Sequence, residues 1–170
     1  LIDTGSLSAL QVAQVDKALA NAGVVSRKNV GPDDRVMTVR MPFERLDEVG
    51  PFDVIGDVHG CIDELGDLLD ELGYRQLEGA FAHPSRRRAV FVGDLTDRGP
   101  GSPAVLELVL AMHLAGSAMC VIGNHDDKLL RHLVGGNVKV AHGLATTIEQ
   151  LATHPRRDEL CEETRVFLAD

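Results

Sequence analysis

Three short stretches of this chain combine glycine with side chains that ligate cations or grip oxyanions. They are Gly56-Asp57-Val58-His59-Gly60, Gly93-Asp94-Leu95-Thr96-Asp97-Arg98-Gly99 and Gly123-Asn124-His125-Asp126. Asp57 and His59 are two residues apart, so a tight turn can aim both at one cation. A carboxylate with an imidazole suits Mn²⁺, Fe, Ni²⁺ or Zn²⁺ better than Ca²⁺. Asp94 can bridge two cations, one oxygen to each. Arg98 offers a planar fork to phosphate oxygens, and Asp97 can orient a histidine. The amide oxygen of Asn124 is a neutral ligand for a second cation. His125 is then free to protonate a departing oxygen, a task suited to an imidazole. Taken singly, each stretch is equally a turn with a helix-capping Asp or Asn. Taken together, one site accounts for them better than three coincident caps.

The elements that must position these residues are legible in the apolar pattern. Phe52–Ile55, Ala89–Val92 and Met119–Ile122 read as short strands, each running directly into one of the three stretches. Ile62, Leu65, Leu68, Leu69 and Leu72 mark a helix closed by Gly73, and Val105 to Leu114 mark a second helix stopped near Gly116. A third helix runs through Leu129, Leu130 and Leu133. Asn137 to Ala141 reads as a further strand, and helices follow from Thr146. Apolar strands joined by helices imply an α/β fold with a parallel sheet covered on both faces. In such sheets ligands bind at the carboxyl ends of the strands, where all three stretches fall. Residues 1–49 read differently. A helical stripe from Leu7 to Ala22, short strands at Val24-Val25 and Val36–Val39, and a proline-bracketed charged linker suggest the tail of an upstream domain. Residues 50–170 then form the second unit.

Composition bounds the function. The 170 residues are 44% hydrophobic and 25% charged, with mean hydropathy near zero, a globular composition with one ordinary core. A net charge of −9 argues against a broad nucleic-acid footprint and leaves room for a focused cationic or metal site. Cys61, Cys120 and Cys161 lack CxxC spacing and read as reduced thiols, consistent with a cytoplasmic location. No apolar run approaches the ~18 residues of a membrane span. The start at Leu1 and the end at Asp170 suggest a fragment. Arg86-Arg87-Arg88 reads as a solubilising strand-edge run, with RNA-backbone contact the minority reading. His142 caps or packs, and His83, His113, His132 and His154 are expected at the surface.

The motifs GDxHG, GDxxDRG and GNH(D/E), present without substitution and in order, resemble the phosphoprotein-phosphatase-like branch of the calcineurin-like metallophosphoesterases. The stretches Gly50–Cys61 and Asn137–Gln150 are most similar to two bacterial subgroups. These are the phosphatase module of polynucleotide kinase-phosphatase and the hydrolases of symmetrical dinucleoside tetraphosphates. The segment before residue 50 favours the first. The resemblance implies a metallophosphoesterase-type layered sheet with flanking helices, its C-terminal part lying beyond Asp170. It implies two divalent cations, Mn²⁺ foremost, roughly 3.5–4 Å apart and holding a hydroxide for in-line attack on phosphorus. It assigns Asp57 and His59 to the first cation, Asp94 to both and Asn124 to the second. His125 becomes the general acid held by Asp97, and Arg98 with Asn124 binds substrate. The expected substrates are 3′-phosphate or 2′,3′-cyclic RNA ends or a small phosphoester, with RNA-repair proteins as partners. The alternatives are a tetraphosphate hydrolase, a protein phosphatase, or a non-catalytic metal- or phosphate-binding fragment, because the two histidines that complete the second cation site in the family have no counterpart here.

Overall fold

In the computed structural model the chain divides after Glu48, and the structure describes residues 48–77, 79–141 and 143–169. The readings made for residues 1–47 and for His142 lie outside the described residues.

Three parallel strands carry the architecture: β1 (Phe52–Ile55), β4 (Arg88–Phe91) and β5 (Ala118–Cys120), in the order β1-β4-β5. Phe52 pairs with Arg88 and Ile55 with Phe91, while Ala89 pairs with Ala118. Between β1 and β4 the chain forms α1 (Ile62–Glu71) and an antiparallel hairpin of β2 (Arg75–Leu77) and β3 (Ala80–Ala82). The hairpin's three-residue strands are too short to show a period in sequence. Four further helices complete the unit: α2 (Ser102–Leu114), α3 (Asn124–Leu133), α4 (Gly143–Ala152) and α5 (Arg157–Ala169).

Each helix follows from its sequence. In α1, Leu65 and Leu69 stand one turn apart and are buried, and Asp63 and Glu64 suit the positive end of the helix dipole. In α2, Pro103 sits in the first turn, where its missing N–H costs nothing. This helix is apolar all round because it separates two cores. Val105, Val109 and Met112 join Ile55, Leu65, Leu69, Tyr74 and Phe91 under the sheet. Leu106 and Leu110 join Leu129, Leu144, Leu151 and Leu160 among the helices.

Four expectations need correction. Asn137 to Ala141 is an irregular connection from α3 to α4, since among the described residues no neighbouring strand offers it a ladder. Among the described residues the helices cover one face of the sheet, while Val54 (69% exposed) and Val92 (48%) lie on the other. Apolar character on both faces is a property of the strand, whereas its covering belongs to the surroundings. Arg87 is no free surface charge: it forms a forked ion pair with buried Asp53, which also accepts from the Tyr74 hydroxyl at 3.0 Å. The four outlying histidines are half-buried, His83 edge-on to Tyr74 and His113 edge-on to Phe167. No described helix is long and apolar enough to cross a membrane.

Candidate active site

The three glycine-bearing stretches are the loops that leave β1, β4 and β5, and backbone hydrogen bonds lock them together. His59 N donates to Asp94 O and Gly60 N to Leu95 O, both at 2.9 Å. Gly99 N returns a bond to His59 O at 2.8 Å. The third loop joins through side chains: Asp94 Oδ1 accepts from His125 N at 3.1 Å, and Asp126 Oδ1 accepts from Leu95 N at 3.0 Å. Contact this close requires glycine. A methyl group on Gly93 would overlap the backbone of Gly123, and one on Gly99 would overlap the carbonyl of His59.

Backbone strain collects here. Among the described residues, the non-glycine positions in the left-handed region are Asp57, His59, Asp94, Asp97, Arg98 and Arg86. Five of these six belong to the first two loops. Such conformations cost roughly 1–3 kcal/mol each and persist where the surroundings over-determine them, commonly at functional sites.

The side chains converge accordingly. His59, Asp94 and His125 each offer a ligand atom within 4.8 Å of the others. His59 is buried, and its Nδ1 donates to the Thr96 carbonyl at 2.9 Å. That bond fixes the tautomer and leaves Nε2 as a lone-pair donor, 3.9 Å from Asp94 Oδ2. A nitrogen donor held this way beside a carboxylate fits a divalent transition cation. Asp57 is exposed in the same loop as His59 and stands outside that group of three, and Asn124 opens α3 as an exposed residue.

His125 is oriented in the same manner. Its Nδ1 donates to Asp97 Oδ2 at 2.7 Å, and its ring meets that of His59 edge-on at 4.9 Å. Nε2 therefore faces outward, 3.4 Å from Nη2 of the exposed Arg98. The arrangement can bind cations, grip an oxyanion and deliver a proton.

Three residues that sequence reasoning left without a role hold these loops. Thr147 of α4 is fully buried; its hydroxyl donates to Asp97 Oδ1 at 2.7 Å and accepts from Asp97 N at 3.1 Å. Gln150, one turn on, accepts from Ser102 N and donates to Gly99 O, both at 3.0 Å. Asp126 is buried and accepts from the amides of Gly123 and Leu95. Burial pushes its carboxyl up, and those amides oppose the shift. In the sequence, Thr147 and Gln150 carry no signal beyond the resemblance of Asn137–Gln150, whereas Asp126 is the last residue of the third motif. Burial, aided by the Asp126 charge, pushes the Cys120 thiol up to about 12, which disfavours its thiolate.

Residues 50–168 match the family profile described as calcineurin-like phosphoesterase. The chain belongs to this family. It is 50% identical over 115 residues to the asymmetrical bis(5′-nucleosyl)-tetraphosphatase PrpE of Halalkalibacterium halodurans, covering 68% of this chain and 44% of that protein. It is 45% identical over 107 residues to the PrpE of a Geobacillus species, covering 63% and 44%. A solved structure of a cold-active protein tyrosine phosphatase is similar at 25% identity and a TM-score of 0.46, over 67% of this chain and 35% of that one. The chain spans less than half the length of the curated relatives it matches.

Membership of the calcineurin-like phosphoesterases accords with the fold seen here, an α/β metallophosphoesterase fold with a parallel sheet and flanking helices. The expected kinship with polynucleotide kinase-phosphatase is corrected: the relatives are tetraphosphatases, and they are designated asymmetrical where the alternative expectation was symmetrical. The motifs encode metal and phosphate chemistry that both subgroups share, and the segment before residue 50, on which the choice between them rested, was a poor guide.

Proposed function

We propose that the chain is the catalytic-loop part of a metal-dependent hydrolase that cleaves dinucleoside tetraphosphates off-centre, into a nucleoside monophosphate and a nucleoside triphosphate. The observation that carries the reading is the convergence of His59, Asp94 and His125 within 4.8 Å, with Arg98 beside them. The tetraphosphatase relatives support the substrate.

Asp57, His59, Asp94 and Asn124 would hold two divalent cations, with Mn²⁺ the first ion to try. Bound there, the cations would polarise the phosphoryl oxygens and supply an activated water. The chain's own residues do the remainder. Arg98 and Asn124 bind the substrate's phosphoryl oxygens, which also sharpens the field felt by the developing charge. His125, held by Asp97, gives its Nε2 proton to the bridging oxygen as the P–O bond breaks. No covalent intermediate on the protein is required.

The test is hydrolysis of diadenosine tetraphosphate with Mn²⁺, compared with a 3′-phosphorylated oligonucleotide and p-nitrophenyl phosphate. AMP and ATP in equal amounts are expected, with turnover stopped by a chelator. ADP as the sole product would replace off-centre with central cleavage, and faster release of phosphate from the oligonucleotide would restore the RNA-end reading. Cation binding without turnover of any substrate would leave a non-catalytic binding fragment.

A further inference from the structure

A pocket of about 480 Å³ opens beside His125, lined by Asp97, Arg98, Lys128, Lys139 and Leu144 among others. Its cations differ from most of those among the described residues. Lys128 and Lys139 are the only lysines after residue 47, yet both line this one pocket. They reach it from different elements, Lys128 from α3 and Lys139 from the α3–α4 connection. Both are exposed, and neither makes a hydrogen bond or ion pair among the described residues.

Most described arginines outside the pocket behave differently, Arg86 being an exposed exception with no carboxylate partner. Arg75, Arg87, Arg131, Arg156, Arg157 and Arg165 each lie within ion-pair distance of a carboxylate. Arg98 has only its contact with His125. The one carboxylate lining the pocket, Asp97, is buried and already bonded to His125 and Thr147. A chain of net charge −9 thus gathers three cations without carboxylate partners around a single cavity. Their charge is available to an anion from outside.

The acid tells which part of the substrate lies there. His125 delivers its proton to the leaving oxygen, so the leaving group departs on the side that His125 faces. Lys128 is three residues after His125 on α3 and shares its helix face.

We propose that this pocket is a leaving-group subsite, and that Lys128 and Lys139 select a leaving group that is itself a polyphosphate. The inference rests on the hydrolytic reading above and deepens it. For off-centre cleavage of a tetraphosphate it sets the polarity of the reaction. Water attacks the outermost phosphorus, the bond from that phosphorus to its bridging oxygen breaks, and the bridging oxygen leaves with the triphosphate, taking the His125 proton. The new P–O bond is on the nucleoside monophosphate.

Binding is tested first, without turnover. In metal-free buffer, titration calorimetry compares tripolyphosphate with orthophosphate on the wild-type chain and on the Lys128→Ala, Lys139→Ala double variant. The wild type should prefer tripolyphosphate by on the order of tenfold, and the double variant should lose that preference. Arg131→Ala, a cation on the same helix already paired with Asp127 at 3.5 Å, should retain it. A preference equal in the wild type and the double variant, or none in the wild type, overturns the subsite. Turnover in H₂¹⁸O is read next by mass spectrometry: label in the monophosphate supports the polarity, and label in the triphosphate overturns it. Selective tripolyphosphate binding by a chain that hydrolyses nothing would reject the hydrolase reading while the anion subsite stands.

Discussion

Two ends of the same sheet each carry an aspartate and an arginine, and they use them in opposite ways. At the end where β1 and β4 begin, Arg87 forks onto buried Asp53, and the Tyr74 hydroxyl supplies a further bond. The charges of Asp53 and Arg87 match each other, and Asp53 has ordinary extended geometry within β1. At the end where these strands finish, Asp94 and Arg98 lie four residues apart in a loop of left-handed backbone. Asp94 spends one carboxylate oxygen on the His125 amide and turns the other toward His59, while Arg98 stays free of carboxylates. The first cluster is closed and stabilises the fold. The second is left open, and the backbone holds it open at a cost in strain. The lesson is that an ion pair marks structure when its charges satisfy each other and marks chemistry when the fold keeps them apart.

The comparison breaks most severely at Asp94. Asp94→Ala should abolish turnover, a loss on the order of 10³-fold or more, and weaken cation binding in calorimetry, while the melting temperature changes little because the residue is only half-buried. Unimpaired turnover in this variant would remove the site assignment. His125→Ala should cost about 10²–10⁴ in kcat, the ordinary range for a general acid. The loss should be smaller for an aryl phosphate, whose leaving group needs little protonation, and a uniform loss across leaving groups would argue for cation ligation by His125 instead.

Thr147→Val tests whether α4 acts on catalysis through Asp97. Loss of a hydrogen bond to a charged group is worth about 1.5–3 kcal/mol, so kcat should fall by roughly 10- to 100-fold with KM nearly constant. Thr147→Ser should recover most of it. Failure of the serine variant to do so would make the threonine methyl's packing the important feature.

The closed cluster should respond in stability alone. Arg87→Ala leaves Asp53 buried without its cation and should lower the melting temperature by several degrees, with kcat per folded molecule unchanged. Asp53→Asn sharpens the point through pH. Arg87's hydrogen bonds hold the Asp53 carboxyl below the usual carboxylate range, against the opposing effect of burial. Its stabilising contribution is therefore present above the unfolded value of about 3.9 and is lost as pH falls through the lowered folded value. Wild type and Asp53→Asn should differ in urea midpoint at pH 7 and converge below about pH 4. A constant difference across that window would show that shape, not charge, is what the pair contributes.

Much of the site was legible because it is local. Asp57 with His59 and Asp94 with Asp97 and Arg98 each sit within one loop directly after a strand, and Asn124 with His125 opens the helix that follows β5. The helices were legible for the same reason, since a 3.6-residue stripe such as Leu65 and Leu69 needs only neighbouring positions. The strand expected at Asn137–Ala141 was not realised because a strand requires a partner, and alternation alone cannot supply one. The ion pair of Arg87 was missed because Asp53 lies 34 residues away.

By itself, then, the sequence determined the chemical vocabulary: carboxylates, imidazoles and an arginine in glycine-bearing loops at strand ends, in a chain whose net charge is negative. Those properties depend on residue type and on contacts a few residues long. Only the tertiary structure decided which residues brace the loops and which cations line the pocket beside His125. Thr147 reaches Asp97 across 50 residues, Gln150 reaches Gly99 across 51, and Lys128 and Lys139 meet Arg98 in one pocket. Threonine, glutamine and lysine are common surface residues with no intrinsic role. Packing α4 against the second loop sets Thr147, buried, and Gln150, half-buried, against polar backbone and carboxylate, and α3 with the connection after it brings the two lysines beside His125. Their function is a property of position in space, which the order of residues along the chain does not display.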